Sequence, residues 1–482
     1  MRVRREDRLA EAAAPEGRGA RLGLLLVAAV FVAVSIPVVL RGAPLADDFS
    51  KCMEPQRVGL GSALGSSVER LGAVRPAHFL EILLTTGVCQ HLPFGFAIAV
   101  PLALTLAVAL LLRGLLRDLG TPTPWPEIAA GMWLLHPLGT EAALWPAALH
   151  IPLGLALGLG ALRLHRAGRH GWAALAVVGA GLSVEQSLLA LPLAAWLVAH
   201  SQGRRRALVA TLVPVVVMLT AFVLWPGQDP RLQVSLVDRV MGIARDPAFY
   251  VQFPAVGLGL HSIPLAVAWA FPVGVALLLG GAALGAVLGP RALRTAAPLG
   301  NGAYVRRALL AGVGLVVLAN IPVVMVVHRQ GSPRLFTPTW LVLAALVAVV
   351  GARVGFRRRA ALGAVVGVLA AGAVLSLALS VSVRLRSADV VEAASARIAA
   401  ETEDGGVVAV CGVRRTVVEW APRGAYAVHD LIYGWAARDA LEYHTGRRAT
   451  FVLAGELWDD PCPAPDEVDL VVYFPELLEE AP

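Results

Sequence analysis

Lysine is all but missing from this chain: Lys51 is the single one, and arginine supplies every other fixed positive charge. That bias is a mark of codon usage and carries no chemical reading by itself. Charge of either sign is sparse, 16% of residues against 57% hydrophobic, which excludes an ordinary soluble globule of 482 residues. The segment from about residue 384 has no glycine-rich loop suited to a nucleotide and no metal-ligand spacing. Internal repeats are lacking too, so the matched halves of many secondary transporters are not here. The formal charge of +7 sits in short arginine clusters between apolar runs, a distribution that reports membrane orientation and argues against nucleic-acid binding.

What is present is a series of apolar runs. A charged segment, residues 1–21, precedes LGLLLVAAVFVAVSIPVVL at 22–40, long enough to cross a hydrocarbon layer of ~30 Å and without a clear small-residue cleavage site. Further runs fall near 92–112, 127–147, 151–164, 172–182, 186–200, 207–225, 263–288, 308–327, 336–352 and 360–382. The expectation is an all-α polytopic membrane protein with about eleven crossings. With residues 1–21 cytoplasmic, Arg113 and Arg117, the Arg163 to Arg169 group, Arg204 to Arg206, Arg291 to Arg307 and Arg353 to Arg359 all fall inside, as the positive-inside rule requires. The membrane domain then spans 22–383, with a first outer loop at 41–91, and the setting is a bacterial-type plasma membrane.

From about 384 the composition changes. LRSADVVEAASARIAAETEDGG reads as an amphipathic helix, GVVAVCGV and VDLVVYF as short buried strands. Residues 384–482 are therefore expected to form a small extracytoplasmic α/β domain. The four cysteines, Cys52, Cys89, Cys411 and Cys462, all map to the outer side. Cys52 with Cys89 and Cys411 with Cys462 are the pairs suggested by segment, in an oxidising compartment; four free thiols are the alternative, since sequence does not set connectivity.

An ionisable group at or within a bilayer is costly and needs a partner or a task. The candidates gather on the outer side: Asp47 and Asp48 of PLADDFSKC, Arg75 of VRPAHF, Glu81, His136 and Glu141 of HPLGTEAALW, His150, Glu185 of LSVEQ, and His328, Arg329 and Arg334 of VHRQGSPRLFTP. A rim of acids, histidines and arginines around one face of a bundle suits an anionic amphiphile. Plainer roles exist for each. The acids can cap a short loop helix, Arg75 can reach the headgroups, and Glu185 can sit near a helix start behind Ser183. His136 and Glu141, five residues apart, do not share a helical face, which argues against a metal pair.

In order along the chain, the acidic pair after the first span, Arg75-Pro76, HPLGTEAALW, SVEQ and SPRLFTP resemble the motifs of the GT-C superfamily of polytopic glycosyltransferases. The likeness is to the branch of protein O-mannosyltransferase-like and tetratricopeptide-linked membrane transferases, and it covers residues 20 to about 350. The departures are Val184 where that family carries lysine, Leu335 and Phe336 in place of its arginine-tyrosine-leucine run, no histidine in the second helix and no tetratricopeptide repeats, which marks a divergent member. The resemblance implies transfer of a sugar, with inversion, from a polyprenyl-phosphate donor to a hydroxyl acceptor. Asp47 or Asp48 would be the general base. Arg75, Arg334 and His328, with Arg329, His136, Glu141 and Glu185, would bind the substrate, and membrane lipid would surround the site. It implies no cofactor; a divalent ion is compatible but not favoured with a monophosphate donor and few acids. The competing expectations are a transporter or flippase for a lipid-linked saccharide and a non-catalytic scaffold of the cell envelope.

Overall fold

Long apolar runs in a chain that pairs its own backbone groups become helices, and helices dominate here. The computed structural model describes residues 17–44, 47–71, 78–135, 142–183, 188–224, 273–292, 302–326, 337–353, 356–411, 434–453, 464 and 466–473. Helix α1 (Gly17–Arg41) is followed by α2 (Asp47–Val58), α3 (Leu60–Leu71) and α4 (His78–His91), so the expected first outer loop is itself helical. Then come α5 (Gly95–Asp118), α6 (Trp125–Leu135), a 3₁₀ turn at Pro146–Ala148, α7 (His150–Arg166), α8 (His170–Ser183), α9 (Leu191–Val198) and α10 (Arg204–Leu224). Helices α11 (Val273–Ala292), α12 (Gly302–Val326) and α13 (Thr337–Gly351) lead to α14 (Phe356–Glu401). Each of the eleven apolar runs coincides at least partly with a helix. Among the described residues three segments, Ala20–Arg41, Gly95–Asp118 and Pro146–Arg166, are long and apolar enough to cross a membrane.

In α1 one stripe, Leu24, Phe31, Ser35 and Val38, is buried, while Leu22, Leu25, Leu26 and Leu40 are exposed. Apolar side chains on the outer face as well as the inner one are what a helix surrounded by lipid requires. The stripe packs on α5, α6 and α14. Buried indoles tie neighbours together: Trp133 Nε1 donates to the Thr105 carbonyl at 3.2 Å and Trp340 Nε1 to the Met132 carbonyl at 3.2 Å. At one end of the bundle arginines pair with acids. Arg113 Nε lies 2.9 Å from Glu127, Arg117 also reaches Glu127, and Arg163 Nε lies 2.9 Å from Asp118. These are arginines that the positive-inside rule groups together.

Helix α14 runs 46 residues without a break, so the apolar run at 360–382 and the amphipathic stretch after it are one element. Beyond it lie β1 (Val407–Cys411), α15 (Gly434–Thr445), β2 (Thr450–Leu453) and β3 (Leu470–Tyr473). The strands form a parallel sheet in the order β2-β1-β3, with Val408 opposite Phe451 on one side and Leu470 on the other. The strand at 450–453 escaped the sequence reading; it is short, with Thr450 and Val452 exposed and Phe451 partly buried, so it lacks the continuous apolar signal of β1. A second core joins Val390, Val391, Ala394 and Ile398 of α14 to Val408, Val410, Leu441 and Val472, and Phe49 of α2 enters it. Cys52 and Cys89 are disulfide-bonded, tying α2 to α4. Cys411 is disulfide-bonded as well; Cys462, its expected partner, lies outside the described residues.

Helices α11 and α14 approach closely where Gly281 and Gly285 face Gly363 and Gly367 at four-residue spacing. A Cβ at Gly285 or Gly367 would collide with the main-chain carbonyl of the glycine opposite, the small-residue contact by which apolar helices approach when lipid offers no hydrophobic drive. Gly367→Val should part the helices at a cost of about 1–3 kcal/mol, read as a lower unfolding midpoint in detergent; an unchanged midpoint would show that the crossing is not tight. In α15, burial pushes His444 below its ordinary 6.5, Arg41 lowers it further and Glu392 partly opposes this. The unfolded chain therefore takes up this proton first as pH falls, so stability should decline from pH 6.5 down through the lowered folded-state value. Thermal unfolding across that window should show a smaller decline in His444→Gln.

Candidate functional site

Helix α2 opens with the acidic pair that drew attention in the sequence. Asp47 is its first residue and Asp48 its second, where negative charge is favoured by the free N–H groups of the first turn. Asp48, Lys51, Cys52 and Pro55 follow at three- and four-residue intervals and are all buried, so they form one face of the helix. That face meets α4 and the 3₁₀ turn. Asp48 is fully buried, and its Oδ1 accepts the main-chain N–H of Ala147 at 3.0 Å.

At the centre of this face stands Glu81 of α4, with no solvent exposure. Its Oε2 lies 2.7 Å from Lys51 Nζ. Its Oε1 accepts from the main-chain N–H of His150 at 2.9 Å and contacts the ring Nδ1 of the same residue at 2.6 Å. One carboxylate from α4 therefore grips a lysine of α2 and both donors of the residue that begins α7. Lys51 Nζ also reaches the Ala147 carbonyl at 3.4 Å, and Thr86 Oγ1 donates to the Lys51 carbonyl at 3.1 Å. An ammonium and a carboxylate withdrawn from water are held only when such geometry and additional hydrogen bonds offset their desolvation. The Cys52–Cys89 bridge sits beside them and limits how far α2 and α4 can separate.

The opposite face of α2 docks on α15. Phe49 packs edge-on against Tyr443, with ring centroids 5.5 Å apart, and Ser50 Oγ donates to Asp439 at 2.7 Å. Arg57 donates from Nε to Glu442 at 2.6 Å and from Nη2 to Asp439 at 2.7 Å. Burial works against the Arg57 charge, and hydrogen bonds to Glu442 and Asp439 outweigh it, raising its pKa above the ordinary arginine value. Nearby, Arg41 at the end of α1 pairs with Asp389 and Glu392 of α14. Elsewhere an apolar recess of about 420 Å³ opens between α9, α10 and α12, bordered by Pro192, Trp196, Leu212 and Leu318.

Of the residues singled out from the sequence, the structure brings Asp48, Glu81 and His150 into one cluster. Asp47 is placed in the first turn of α2, its side chain outside the description. Arg75, His136, Glu141, Glu185, His328, Arg329 and Arg334 lie outside the described residues. Lys51 is the residue the sequence reading passed over. Two signals pointed to it: it is the only lysine in the chain, and it follows Asp48 by three positions, on the same helical face. Among the described residues no group of three or more histidines, cysteines or acids is placed to hold a metal ion. Searches of the chain against known protein families, curated proteins and solved structures gave no match.

Lys51→Met should strip Glu81 of its ammonium partner inside the protein and destabilise the fold by about 2–3 kcal/mol. Because no other lysine competes, an amine-reactive label followed by mass spectrometry reads the same site directly. Lys51 should resist labelling in the native protein and react once it unfolds; rapid native labelling would mean that the ion pair is open.

Proposed function

We propose that the chain is a polytopic membrane glycosyltransferase, with about eleven crossings, that moves a sugar from a polyprenyl-phosphate donor to a hydroxyl acceptor on the extracytoplasmic side. The observation that supports this best is the joint around α2. Asp47 and Asp48 open a helix held by the buried Lys51–Glu81 pair, at the end of the bundle opposite the Arg113, Arg117 and Arg163 cluster. If arginine marks the cytoplasmic side, the acids face the compartment in which lipid-linked sugars are consumed.

Within this reading the reaction is one displacement. The acceptor hydroxyl attacks the anomeric carbon, the carbon–oxygen bond to phosphate breaks, and a carboxylate takes the hydroxyl proton. Asp48 is engaged by the Ala147 N–H and fully buried, so Asp47 is the base and Asp48 holds the helix start. Arg75, Arg334, His328 and Arg329 receive the phosphate, for which arginine's paired donors are suited, while His136, Glu141 and Glu185 complete the substrate contacts. An apolar recess such as that between α9, α10 and α12 has the character an isoprenoid tail requires.

The test uses membranes supplied with a labelled polyprenyl-phosphate sugar. Asp47→Asn should lower transfer by about 10³-fold with donor affinity retained, the pattern of a lost base and not of a lost contact. Asp48→Asn, whose amide oxygen can still accept from Ala147, should have a smaller effect. Arg334→Ala should weaken donor binding along with turnover. Full transfer by both single aspartate variants and by the double variant would remove the acids from the mechanism.

A further inference from the structure

The first residue of α7 adds a proton-handling group that the two aspartates do not supply. A carboxylate only accepts hydrogen bonds, so the 2.6 Å contact between Glu81 Oε1 and His150 Nδ1 places a proton on Nδ1. The main-chain N–H of His150 donates to the same oxygen at 2.9 Å, and Lys51 occupies the other oxygen at 2.7 Å. Glu81 is thereby fixed from three directions and the imidazole is fixed by Glu81. The ring's far nitrogen, Nε2, has no partner among the described residues, and the side chain is 13% exposed, unlike Glu81, which is sealed. Among the described residues Glu81 from α4 contacts the ring, Lys51 from α2 holds the other Glu81 oxygen, and Asp48 from α2 binds the Ala147 N–H three residues before His150. A histidine oriented through one nitrogen by a carboxylate and open at the other is arranged for proton transfer at the open atom.

We propose that His150 is the general acid of the transfer, donating its Nε2 proton to the departing phosphate oxygen, with Glu81 as its positioning residue. This rests on the polyprenyl-phosphate reading above. With Nδ1–H held by Glu81, Nε2 is the ring atom left to face the phosphate oxygen. The balance of the step is complete. The electron pair of the anomeric carbon–oxygen bond goes to the phosphate oxygen, which takes the Nε2 proton. The hydroxyl oxygen bonds to the anomeric carbon, and its proton goes to the Asp47 carboxylate. Water then removes the proton from Asp47 and returns one to His150, so base and acid are reset together.

The decisive variant is His150→Gln, because Glu81 keeps both Lys51 and the main-chain N–H of residue 150 and the joint stays closed. In membranes with labelled polyprenyl-phosphate sugar, His150→Gln should lower kcat about 10²-fold and abolish the alkaline fall of the wild-type pH–rate profile, with donor affinity changed little. The deficit should shrink when the donor carries a diphosphate in place of the monophosphate, since a less basic leaving group needs the proton less; a merely structural role would not depend on the leaving group. Glu81→Gln should lower kcat in the same direction, its fold checked by its thermal unfolding midpoint, and in His150→Gln native protection of Lys51 from amine labelling checks that the joint is intact. A wild-type rate and pH profile in a folded His150→Gln protein would overturn the assignment while leaving the transferase reading in place. Failure of the wild type to move sugar from any polyprenyl-phosphate donor would overturn both.

Discussion

A carboxylate with no solvent exposure must find donors inside the protein, and among the described residues Glu81 takes up Lys51 Nζ, the main-chain N–H of His150 and the ring of His150. Because these come from α2 and α7 while Glu81 belongs to α4, satisfying one charge fixes three elements relative to each other. The cost of leaving any of these groups unpaired makes the arrangement all-or-none. The disulfide between Cys52 and Cys89 acts at the same joint, as a covalent restraint beside an electrostatic one.

Helix α2 has apolar or paired residues on two faces, and this lets it join two cores. Asp48, Lys51 and Cys52 belong to the bundle, whereas Phe49, Ser50 and Arg57 belong to the contact with α15. Helix α14 makes a second connection, packing on α11 along its first part, meeting α1 through Arg41 at Asp389 and Glu392, and packing on α15 and the sheet along its last part. A displacement of the C-terminal sheet would therefore be felt at the start of α2, where the acidic pair sits. Structure and proposed chemistry meet there: the helix that would present a base is held from both sides.

Much of the secondary structure was legible because apolar runs are strong signals. All eleven coincide at least partly with helices, and GVVAVCGV and VDLVVYF contain β1 and β3. The helices within 41–91 were not legible, since α2 carries three acids, a lysine, an arginine and an internal proline and reads as a polar loop. The continuity of α14 was hidden by its change from apolar to amphipathic composition, which suggests a boundary where the backbone makes none. The cluster was half legible: Asp48, Glu81 and His150 stood out as ionisable groups on one side, but Lys51 was set aside because its rarity looked like codon bias.

Local patterning was enough for the sequence by itself to determine a helical, membrane-compatible chain with short buried strands near its C-terminus, whereas the parallel pairing of those strands is a tertiary outcome. Hydropathy and charge act through nearest neighbours and through the bilayer, so a linear text carries them. Tertiary structure alone decided that Glu81, rather than either aspartate, is the hub, that Lys51 is its counter-ion, and that Asp48 is turned inward to the Ala147 N–H. Those outcomes depend on pairing between residues 30 to 99 positions apart. Which donor a buried carboxylate receives is settled by packing, not by the residues beside it in the chain.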